Sequence, residues 1–274
     1  MSKNFPQALT IAGSDSGGGA GIQADLKTFQ QRRVFGMTVI TAITAQNTLG
    51  VTDIHPVPTA TIAAQMAAIA EDFQPRAFKI GMLGTAEIIA CVAEGIKQHD
   101  FGLCVLDPVM VAKGGAPLLQ QSATQALIEQ LLPLADVLTP NLPEAEFLTG
   151  LKITDENSLR RAADKLLADG AKAVIIKGGH SENSVSRDCT DYVFTAEGKD
   201  FQVSAPRFDT PHTHGTGCTF SACITAELAK GNDMEAAIRT AKAFISAAIS
   251  HPLGIGHGHG STNHWAFSDE KSLR

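Results

Sequence analysis

With 274 residues, 44% of them apolar, and a net charge of −6, the chain can bury a substantial core, and we predict one domain over residues 1–274. It has no long basic run and no apolar stretch of about 18 residues, so nucleic acids and membranes are disfavoured as partners and a small-molecule substrate is favoured. Its five cysteines are scattered without a CxxC pair, which is typical of a cytoplasmic protein.

Apolar runs alternate with helix-length stretches along the first two thirds of the chain. The runs, each bounded by Gly, Pro or Asp, predict strands at residues 8–13, 37–44, 77–82, 103–109, 136–140 and 173–179. A helical repeat of apolar residues predicts helices at 59–73, 85–98, 122–135 and 158–170. Strands separated by helices imply right-handed crossovers. We therefore predict an α/β fold with three layers, α/β/α, around a mostly parallel central sheet.

The last third of the chain has a different pattern. Residues 189–206 predict a hairpin that turns near residues 197–199. Two helices are then predicted at 216–230 and 233–250, with Gly231 between them as a C-cap.

The loop after the first predicted strand reads GSDSGGGAGIQADLKTF, residues 13–29. It fits a relaxed GxGxxA dinucleotide pattern, but the acidic residue expected about 20 positions later is missing. The GxxxxGK[ST] phosphate loop also fails, because Leu26 stands where the second glycine belongs. By itself the segment predicts a tight strand-to-helix turn that carries an acid, Asp15, at a strand end.

A second loop, TPNLPEA, follows the strand predicted at 136–140. Asn141 and Glu144 have the spacing of a helix-capping pair, which is the structural interpretation. The functional interpretation is that both lie on the ligand side of the sheet, where a carboxylate can organise Mg²⁺ and water around a nucleoside triphosphate. Asp107 ends another parallel strand and could join them.

The segment HGTGCTF, residues 214–220, begins a helix rich in small residues. Glycines at a helix N-terminus expose N–H groups and the positive end of the helix dipole, which suits a phosphoryl group. Thr216 could add a hydroxyl donor. The dipole would also lower the pKa of the Cys218 thiol, so that it could take a proton from an attacking alcohol. For an isolated cysteine, simple packing at a helix start is the alternative.

Several motifs, in this order, resemble the hydroxymethylpyrimidine/phosphomethylpyrimidine kinases of thiamine biosynthesis, in the ribokinase-like superfamily. They are GSDSGGGAGIQADLKTF, TAQNT, KIGML, LDPVM, TPNLPEA, KGGH and THGTGCTFSA. The resemblance runs through nearly the whole chain. It implies ATP- and Mg²⁺-dependent phosphorylation of a hydroxymethyl group and then of the resulting monophosphate.

The same resemblance implies a role for each matching residue. The anion hole would comprise Gly215, Thr216 and Gly217, with Cys218 as the catalytic base. The nucleotide side would comprise Asp107, Asn141, Lys177 and Lys242, with Glu144 organising the metal. The substrate pocket would comprise Gly13, Asp15, Gln46, Met82 and Val109. An amide such as Gln46 suits an aminopyrimidine edge, because it can donate to a ring nitrogen and accept from the exocyclic amine.

Two other functions stay open. A pyridoxal or pyridoxine kinase of the same branch shares the glycine loop and the cysteine, and one enzyme could use both substrates. The resemblance favours pyrimidine, since pyridoxal-specific relatives typically have an apolar residue in place of Gln46 and often lack Lys177. A non-catalytic nucleotide-binding protein would keep the scaffold without consuming ATP. Family members are often homodimers, which we also expect here.

The C-terminal segment GIGHGHGSTNHW, residues 254–265, contains three histidines. No acidic or cysteine partner stands at ligand spacing, so the sequence favours a solvent-facing or substrate-covering segment over a metal site.

Overall fold

The computed structural model describes residues 5–111, 115, 118, 121–178 and 187–267. Its strands, in chain order, are β1 Gln7–Ala12, β2 Phe35–Ile40, β3 Ala42–Asn47, β4 Gly50–Pro56, β5 Ala77–Ile80, β6 Leu103–Leu106, β7 Val137–Leu138, β8 Ala173–Ile176, β9 Asp188–Thr195 and β10 Phe201–Pro206. Its helices are α1 Gly21–Gln31, α2 Thr59–Asp72, α3 Ala86–Gln98, α4 Gln121–Ala126, α5 Leu142–Thr149, α6 Glu156–Ala168, α7 Thr216–Ala229 and α8 Met234–Ser250.

Eight of these strands form one sheet in the order β10-β9-β8-β7-β6-β5-β1-β2. The pairs from β8 through β2 are parallel, and the β9–β10 hairpin is antiparallel at one edge. The predicted mostly parallel sheet and the hairpin are confirmed. Because the chain passes through a helix between most parallel neighbours, the carboxyl ends of β1 and β5 to β8 meet at one edge.

Helices cover both faces of the sheet and give the predicted three layers. On β1, Leu9 and Ile11 pack with α2 and α3, whereas Ala8 packs with α7 and α8 on the other face. This period of two is that of a strand buried on both sides. Helix α7 is enclosed, since every residue from 219 to 229 is buried, which explains its small side chains.

Three predicted elements differ from the structure. The run 37–44 is not one strand: β2 ends at Ile40, and β3 pairs with β4 in a separate two-stranded sheet. The helix predicted at 122–135 is broken, because α4 passes into a π turn over Leu127–Leu131 and a 3₁₀ turn over Leu132–Leu134, where Pro133 cannot donate a helical hydrogen bond. The strand predicted at 136–140 is reduced to β7.

Other predictions hold within small shifts. The two C-terminal helices are α7 and α8, and Gly231 between them has φ +86°. The strand predicted at 173–179 is present as β8, and residue 179 lies outside the described residues. Among the residues described, no helix is both long and apolar enough to cross a membrane. The single domain stays a prediction.

Candidate active site

A cluster of charged side chains lies where β6, β7 and β8 end. The Lys177 Nζ is 3.0 Å from Asp107 Oδ1 and 3.9 Å from Glu144 Oε2. Asp107 is buried, and it also accepts hydrogen bonds from the hydroxyls of Thr139, at 3.0 Å, and Ser221, at 3.4 Å. Burial disfavours its charge, but Lys177 and Lys79 outweigh burial and lower the Asp107 pKa. The three predicted residues Asp107, Glu144 and Lys177 are thus brought together.

Asn141 and Glu144 form a complete capping box at the start of α5. The Glu144 N–H donates to Asn141 Oδ1, and the Asn141 N–H donates to Glu144 Oε2, both at 2.8 Å. The structural interpretation is therefore confirmed, and the capped carboxylate faces Lys177 as well. Burial, with the charge of Asp107, raises the Glu144 pKa to about 7 despite the opposing effect of Lys177. Such a carboxyl is poised to gain from a nearby cation.

The first turn of α7 faces this charged cluster. Gly215 is the N-cap, with φ +82°, and a Cβ on it would collide with the Gly19 carbonyl oxygen. A Cβ on Gly217 would lie 3.4 Å from Asp107 Oδ2 and 3.5 Å from Lys177 Nζ. Glycine is therefore needed at position 215, for the left-handed turn and the close approach of Gly19, whereas a Cβ at position 217 would make only ordinary contacts. The arrangement places the positive end of α7 next to Lys177, where an anion would meet both.

Thr216 does not offer the hydroxyl donor that the sequence suggested. Its hydroxyl donates to the Thr213 carbonyl at 2.7 Å, and its N–H donates to the same oxygen at 3.3 Å. Both donors therefore stabilise the loop before α7. The place of Thr216 in an anion hole stays a prediction, and its N–H would have to leave the Thr213 carbonyl to bind an anion.

The expected low pKa of the Cys218 thiol is wrong. Burial raises the Cys218 pKa, and the charges of Asp25 and Asp107 raise it further, although Lys79 and the Gly21 N–H act in the opposite direction. The thiol is only partly exposed and lies against the start of α1. It is thus a protonated group in the first turn of α7.

Lys79 is a buried cation below Cys218 that the sequence analysis gave no role. Its side chain is fully buried, and its Nζ is 2.6 Å from Asp25 Oδ1. Thr10 donates to the other Asp25 oxygen at 2.7 Å. Burial opposes the Lys79 charge, but Asp25, Cys218 and Asp107 raise the Lys79 pKa, so the lysine stays charged. A lysine inside the apolar run AFKIGM was the available signal, because a buried lysine needs a partner.

Asp15 organises the glycine loop after β1. Its carboxylate accepts from the N–H groups of Gly17, Gly19 and Ala20 at 2.8 to 3.0 Å. It also lies 2.8 Å from His214 Nε2. Burial opposes ionisation, but His214 and these N–H groups outweigh burial and lower the Asp15 pKa. The predicted tight turn is confirmed, and Asp15 is the side chain that holds it.

The other predicted substrate residues lie near this loop. Gln46, on β3, has its amide 3.4 Å from His214 Nε2. A Cβ on Gly13 would collide with the methyl group of Met82, so these two residues are in contact. Val109 is half-buried, and its N–H donates to the Asp107 carbonyl at 2.8 Å. Gly13, Gln46 and Met82 thus border one region, and Val109 lies beside the charged cluster.

Lys242 lies one layer behind the end of β8. Its Nζ is 2.8 Å from Asp191 Oδ2, and Asp191 Oδ1 accepts from the Gly178 N–H at 3.1 Å. Lys242 is therefore tied through Asp191 to the residue after Lys177. Its contact with a nucleotide stays a prediction.

The C-terminal segment covers two loops of the site. The His259 N–H donates to the Thr48 carbonyl, between β3 and β4, at 2.8 Å. Ser261 pairs with His214 as a short bridge. His264 is buried with its Nε2 3.0 Å from Thr219 Oγ1, and burial lowers the His264 pKa to about 4. The segment thus joins the β3–β4 turn to the loop before α7.

The residues around Glu144 fit a Mg²⁺ ion that is held mainly by phosphates. Across the described ranges, no three His, Cys, Asp or Glu side chains are grouped as a ready metal cage. Mg²⁺ commonly binds one or two protein carboxylates, keeps several waters and takes its other ligands from substrate phosphates. Glu144 and Asp107, which share Lys177, can supply such carboxylates.

Solved structures that are similar to this one include small-molecule kinases. The Bacillus subtilis pyridoxal kinase in an ADP complex has a TM-score of 0.87 and 44% identity, covering 96% of this chain and 98% of that one. A phosphomethylpyrimidine kinase from Clostridium difficile has a TM-score of 0.77 and 43% identity, covering 89% and 99%. The fold is ribokinase-like, as predicted, and with the site it defines a small-molecule kinase scaffold.

Sequence relatives narrow the class to one family. The model of the family described as phosphomethylpyrimidine kinase matches residues 15–263. A Haemophilus influenzae hydroxymethylpyrimidine/phosphomethylpyrimidine kinase is 66% identical over 265 residues, 97% of this chain and 98% of its own length. One from Bacillus subtilis is 51% identical over 262 residues, 95% of each chain. The chain belongs to the phosphomethylpyrimidine kinase family.

Proposed function

We propose that the protein transfers the γ-phosphoryl group of ATP to 4-amino-5-hydroxymethyl-2-methylpyrimidine, and then phosphorylates the monophosphate to the diphosphate, in thiamine biosynthesis. The observation that carries the proposal is the first turn of α7, whose Gly217 lies against Asp107 and Lys177. The names of the curated relatives at 51% and 66% identity support the pyrimidine as substrate.

The proposed chemistry is mainly electrostatic. A transferring phosphoryl group spreads negative charge over its oxygens, so catalysis depends on positioning and on fixed positive charge. Lys177 and the N–H groups at the start of α7 would bind this charge, and buried Lys79 adds a second cation behind them. Glu144 and Asp107 would hold Mg²⁺, which supplies charge neutralisation to the phosphates. Asn141 fixes the Glu144 carboxylate by the capping box.

Cys218 is the side chain proposed to accept the substrate proton. Its thiol lies in the same turn of α7 as the anion-binding N–H groups, so a hydroxymethyl group there would meet both. Only the thiolate can accept this proton, and the raised pKa keeps the thiolate a minor fraction at rest, so the thiol must first lose its own proton to solvent and kcat should rise with pH. In the loose transition state of phosphoryl transfer, the proton of the attacking hydroxyl leaves late. Proton removal by Cys218 would therefore add to the electrostatic stabilisation by Lys177 and α7 and would not replace it.

Substrate choice is assigned to the region of Gly13, Gln46 and Met82. Gln46 would pair with the ring nitrogen and exocyclic amine of the pyrimidine, while Met82 and Val109 form apolar walls. Asp15 would act by shaping the glycine loop, because its oxygens are occupied by loop N–H groups and His214. Lys242 would support the nucleotide side through Asp191.

A second candidate substrate is pyridoxal. Several solved structures with this fold are pyridoxal kinases, including one from Staphylococcus aureus in complex with AMP-PCP and pyridoxal, at 37% identity and a TM-score of 0.86. A bifunctional enzyme would use both ring systems in one pocket. Gln46 favours the pyrimidine, because its amide matches an aminopyrimidine edge.

The test is direct. Purified protein is incubated with Mg-ATP and, separately, with hydroxymethylpyrimidine, its monophosphate and pyridoxal, and products are identified by mass spectrometry. We expect mono- and diphosphate from the two pyrimidines at a higher kcat/KM than pyridoxal phosphate formation. A protein that phosphorylates only pyridoxal would establish the alternative, and one that consumes no ATP with any substrate would be a non-catalytic binding protein.

We further propose that the protein is a homodimer. The two-stranded sheet exposes Ile43 (55%), Leu49 (69%) and Ile54 (37%), which is a cost in water unless another surface covers them. Light scattering after size exclusion would give twice the chain mass of 28.8 kDa. Ile43→Lys and Leu49→Lys should shift the mass to that of one chain if the β3–β4 hairpin is the interface.

A further inference from the structure

His214 lies one residue before Gly215 and contacts both sides of the substrate region. The residue is buried, and its Nε2 is 2.8 Å from Asp15 Oδ2. Its own backbone is fixed by the C-terminal segment, since its N–H donates to the Gly260 carbonyl at 3.1 Å and its carbonyl accepts from the Thr262 N–H at 3.2 Å. The imidazole therefore has little freedom to turn away from Asp15.

The contact with Asp15 determines which nitrogen of His214 carries a proton. Asp15 already accepts three backbone N–H groups, which only an ionised carboxylate does well, and an ionised carboxylate offers no hydrogen of its own. A bond of 2.8 Å to His214 Nε2 thus requires the proton to be on that nitrogen. The single Nε2 hydrogen is directed at Asp15, so His214 Nε2 has no lone pair to offer Gln46, and its N–H can only be shared weakly with an oxygen at 3.4 Å.

The Gln46 amide then has one orientation that satisfies its neighbours. Its two terminal atoms lie 3.4 Å from His214 Nε2 and 3.3 Å from Thr44 Oγ1. The single hydroxyl proton of Thr44 goes to the Ser14 carbonyl at 2.9 Å, so Thr44 Oγ1 is an acceptor toward Gln46. The amide oxygen therefore belongs next to His214 and the NH₂ group next to Thr44. In the reverse orientation the NH₂ group would face the His214 N–H, and the amide oxygen would face the acceptor oxygen of Thr44.

We propose that His214 is a positioning residue for substrate selection, which fixes the Gln46 amide with its oxygen toward the imidazole and its nitrogen toward Thr44. A fixed amide presents its remaining N–H and its remaining lone pair to the pocket in one order. The inference rests on the proposed function, since it takes Gln46 as the contact for the aminopyrimidine edge.

The order of donor and acceptor on the amide matters because two closely related pyrimidines have opposite orders of donor and acceptor on their ring edges. The aminopyrimidine places a donor, the exocyclic amine, next to a ring acceptor. The 4-oxo analogue places an acceptor, the exocyclic oxygen, next to a ring N–H donor. An amide that can turn by 180° pairs with either, whereas a fixed amide leaves buried groups unpaired with one of them, and such sites discriminate strongly.

The experiment compares kcat and KM for these two pyrimidines in the unsubstituted protein, His214→Leu and His214→Gln. We expect His214→Leu to raise KM for the aminopyrimidine about 10-fold with nearly unchanged kcat, and to reduce its preference over the oxo analogue by a similar factor. His214→Gln keeps an N–H donor within reach of Gln46 and should restore the preference. In a Gln46→Met background, His214→Leu should add nothing further.

Three results would overturn the inference: equal losses on both pyrimidines, a loss confined to kcat, or additive effects in the double variant. Each would mean that His214 acts on the loop before α7 and not on Gln46. The melting temperature of each variant shows whether the fold is retained.

A readout without substrate separates this inference from the proposed function. The side-chain amide signals of Gln46 in a ¹⁵N–¹H spectrum, assigned by their loss in Gln46→Met, report its hydrogen bonds. We expect them to move in His214→Leu and to return toward their original positions in His214→Gln. Signals that stay unchanged in His214→Leu would overturn the inference. An unsubstituted protein that phosphorylates no pyrimidine would overturn the proposed function instead, and the spectra would still decide the role of His214.

Discussion

The two ends of the candidate site are built from different interactions. At the phosphate end, Asp107, Lys177 and Glu144 form a buried charged cluster, with the first turn of α7 beside it. At the substrate end, Asp15 is bound by backbone N–H groups, and neutral Gln46 forms the polar contact. Charge acts on any phosphoryl group, whereas an amide distinguishes ring edges. We therefore expect that substitutions at the two ends will change rate and selectivity separately in this protein.

The largest expected effect is at the phosphate end, for Cys218→Ala. Removal of a general base costs about 10²- to 10⁴-fold in kcat, while the N–H groups of α7 remain, so a residual rate should persist. Cys218→Asp should recover part of the loss and Cys218→Ser should not, because a hydroxyl is a much poorer base. Cys223→Ala, a buried thiol of the same helix, is the matched control for thiol loss without loss of rate.

The pH profile of thiol alkylation sharpens the same test. Because burial raises the Cys218 pKa, alkylation should become fast only above the ordinary thiol pKa of 9.0, and bound substrate should slow it. If Cys218→Ala retains nearly full kcat, the thiol is only a packing residue. Phosphoryl transfer would then depend on the charged cluster and α7 without a side-chain base.

Glu144→Gln should have the next largest effect. The amide keeps a hydrogen bond to the Asn141 N–H but loses the charge proposed to order Mg²⁺, so we expect kcat to fall by about 10²- to 10³-fold, with pyrimidine binding nearly intact. Asp155→Ala is the matched control, because Asp155 and Ser158 form a capping box on α6. That change should cost about 1 kcal/mol of unfolding free energy and leave kcat unaltered. If Glu144→Gln has normal turnover, the Glu144 carboxylate only caps α5 and does not order Mg²⁺.

At the substrate end, Gln46→Met should change selectivity and not the general rate. We expect kcat/KM for hydroxymethylpyrimidine to fall by about 10- to 100-fold, and that for pyridoxal to fall much less, since only the pyrimidine loses a matched polar partner. Steady-state assays with both substrates decide this. Equal losses would mean that Gln46 supports the two-stranded sheet of β3 and β4 and does not contact the substrate.

Much of the fold follows from local pattern, because alternating apolar strands and amphipathic helices are properties of short segments. The break at Thr41 does not, since the apolar run 37–44 continues across two sheets and nothing in it marks the change of partner. The charged cluster is visible in motifs that each lie at a strand end. His214 was missed because its partners are 199 and 168 residues away. The thiol pKa was wrong because burial depends on packing against α1.

The smallest expected effect lies outside both ends, at His264 in the C-terminal segment behind α7. Burial lowers the His264 pKa from 6.5 to about 4, so the unfolded chain binds a proton that the folded protein excludes. Stability should therefore be lost as pH falls below about 6.5, with a contribution of about 2 kcal/mol between pH 7 and pH 5. His264→Gln can keep a hydrogen bond to Thr219 without titrating, so urea unfolding at the two pH values should show a loss smaller by that amount than in the unsubstituted protein. If His264→Gln and the unsubstituted protein lose the same stability, the segment opens before the fold does, and His264 titrates in contact with water. In that case kcat for both pyrimidine and pyridoxal should fall together at pH 5, since the segment supports the loop that carries His214 and Gly215.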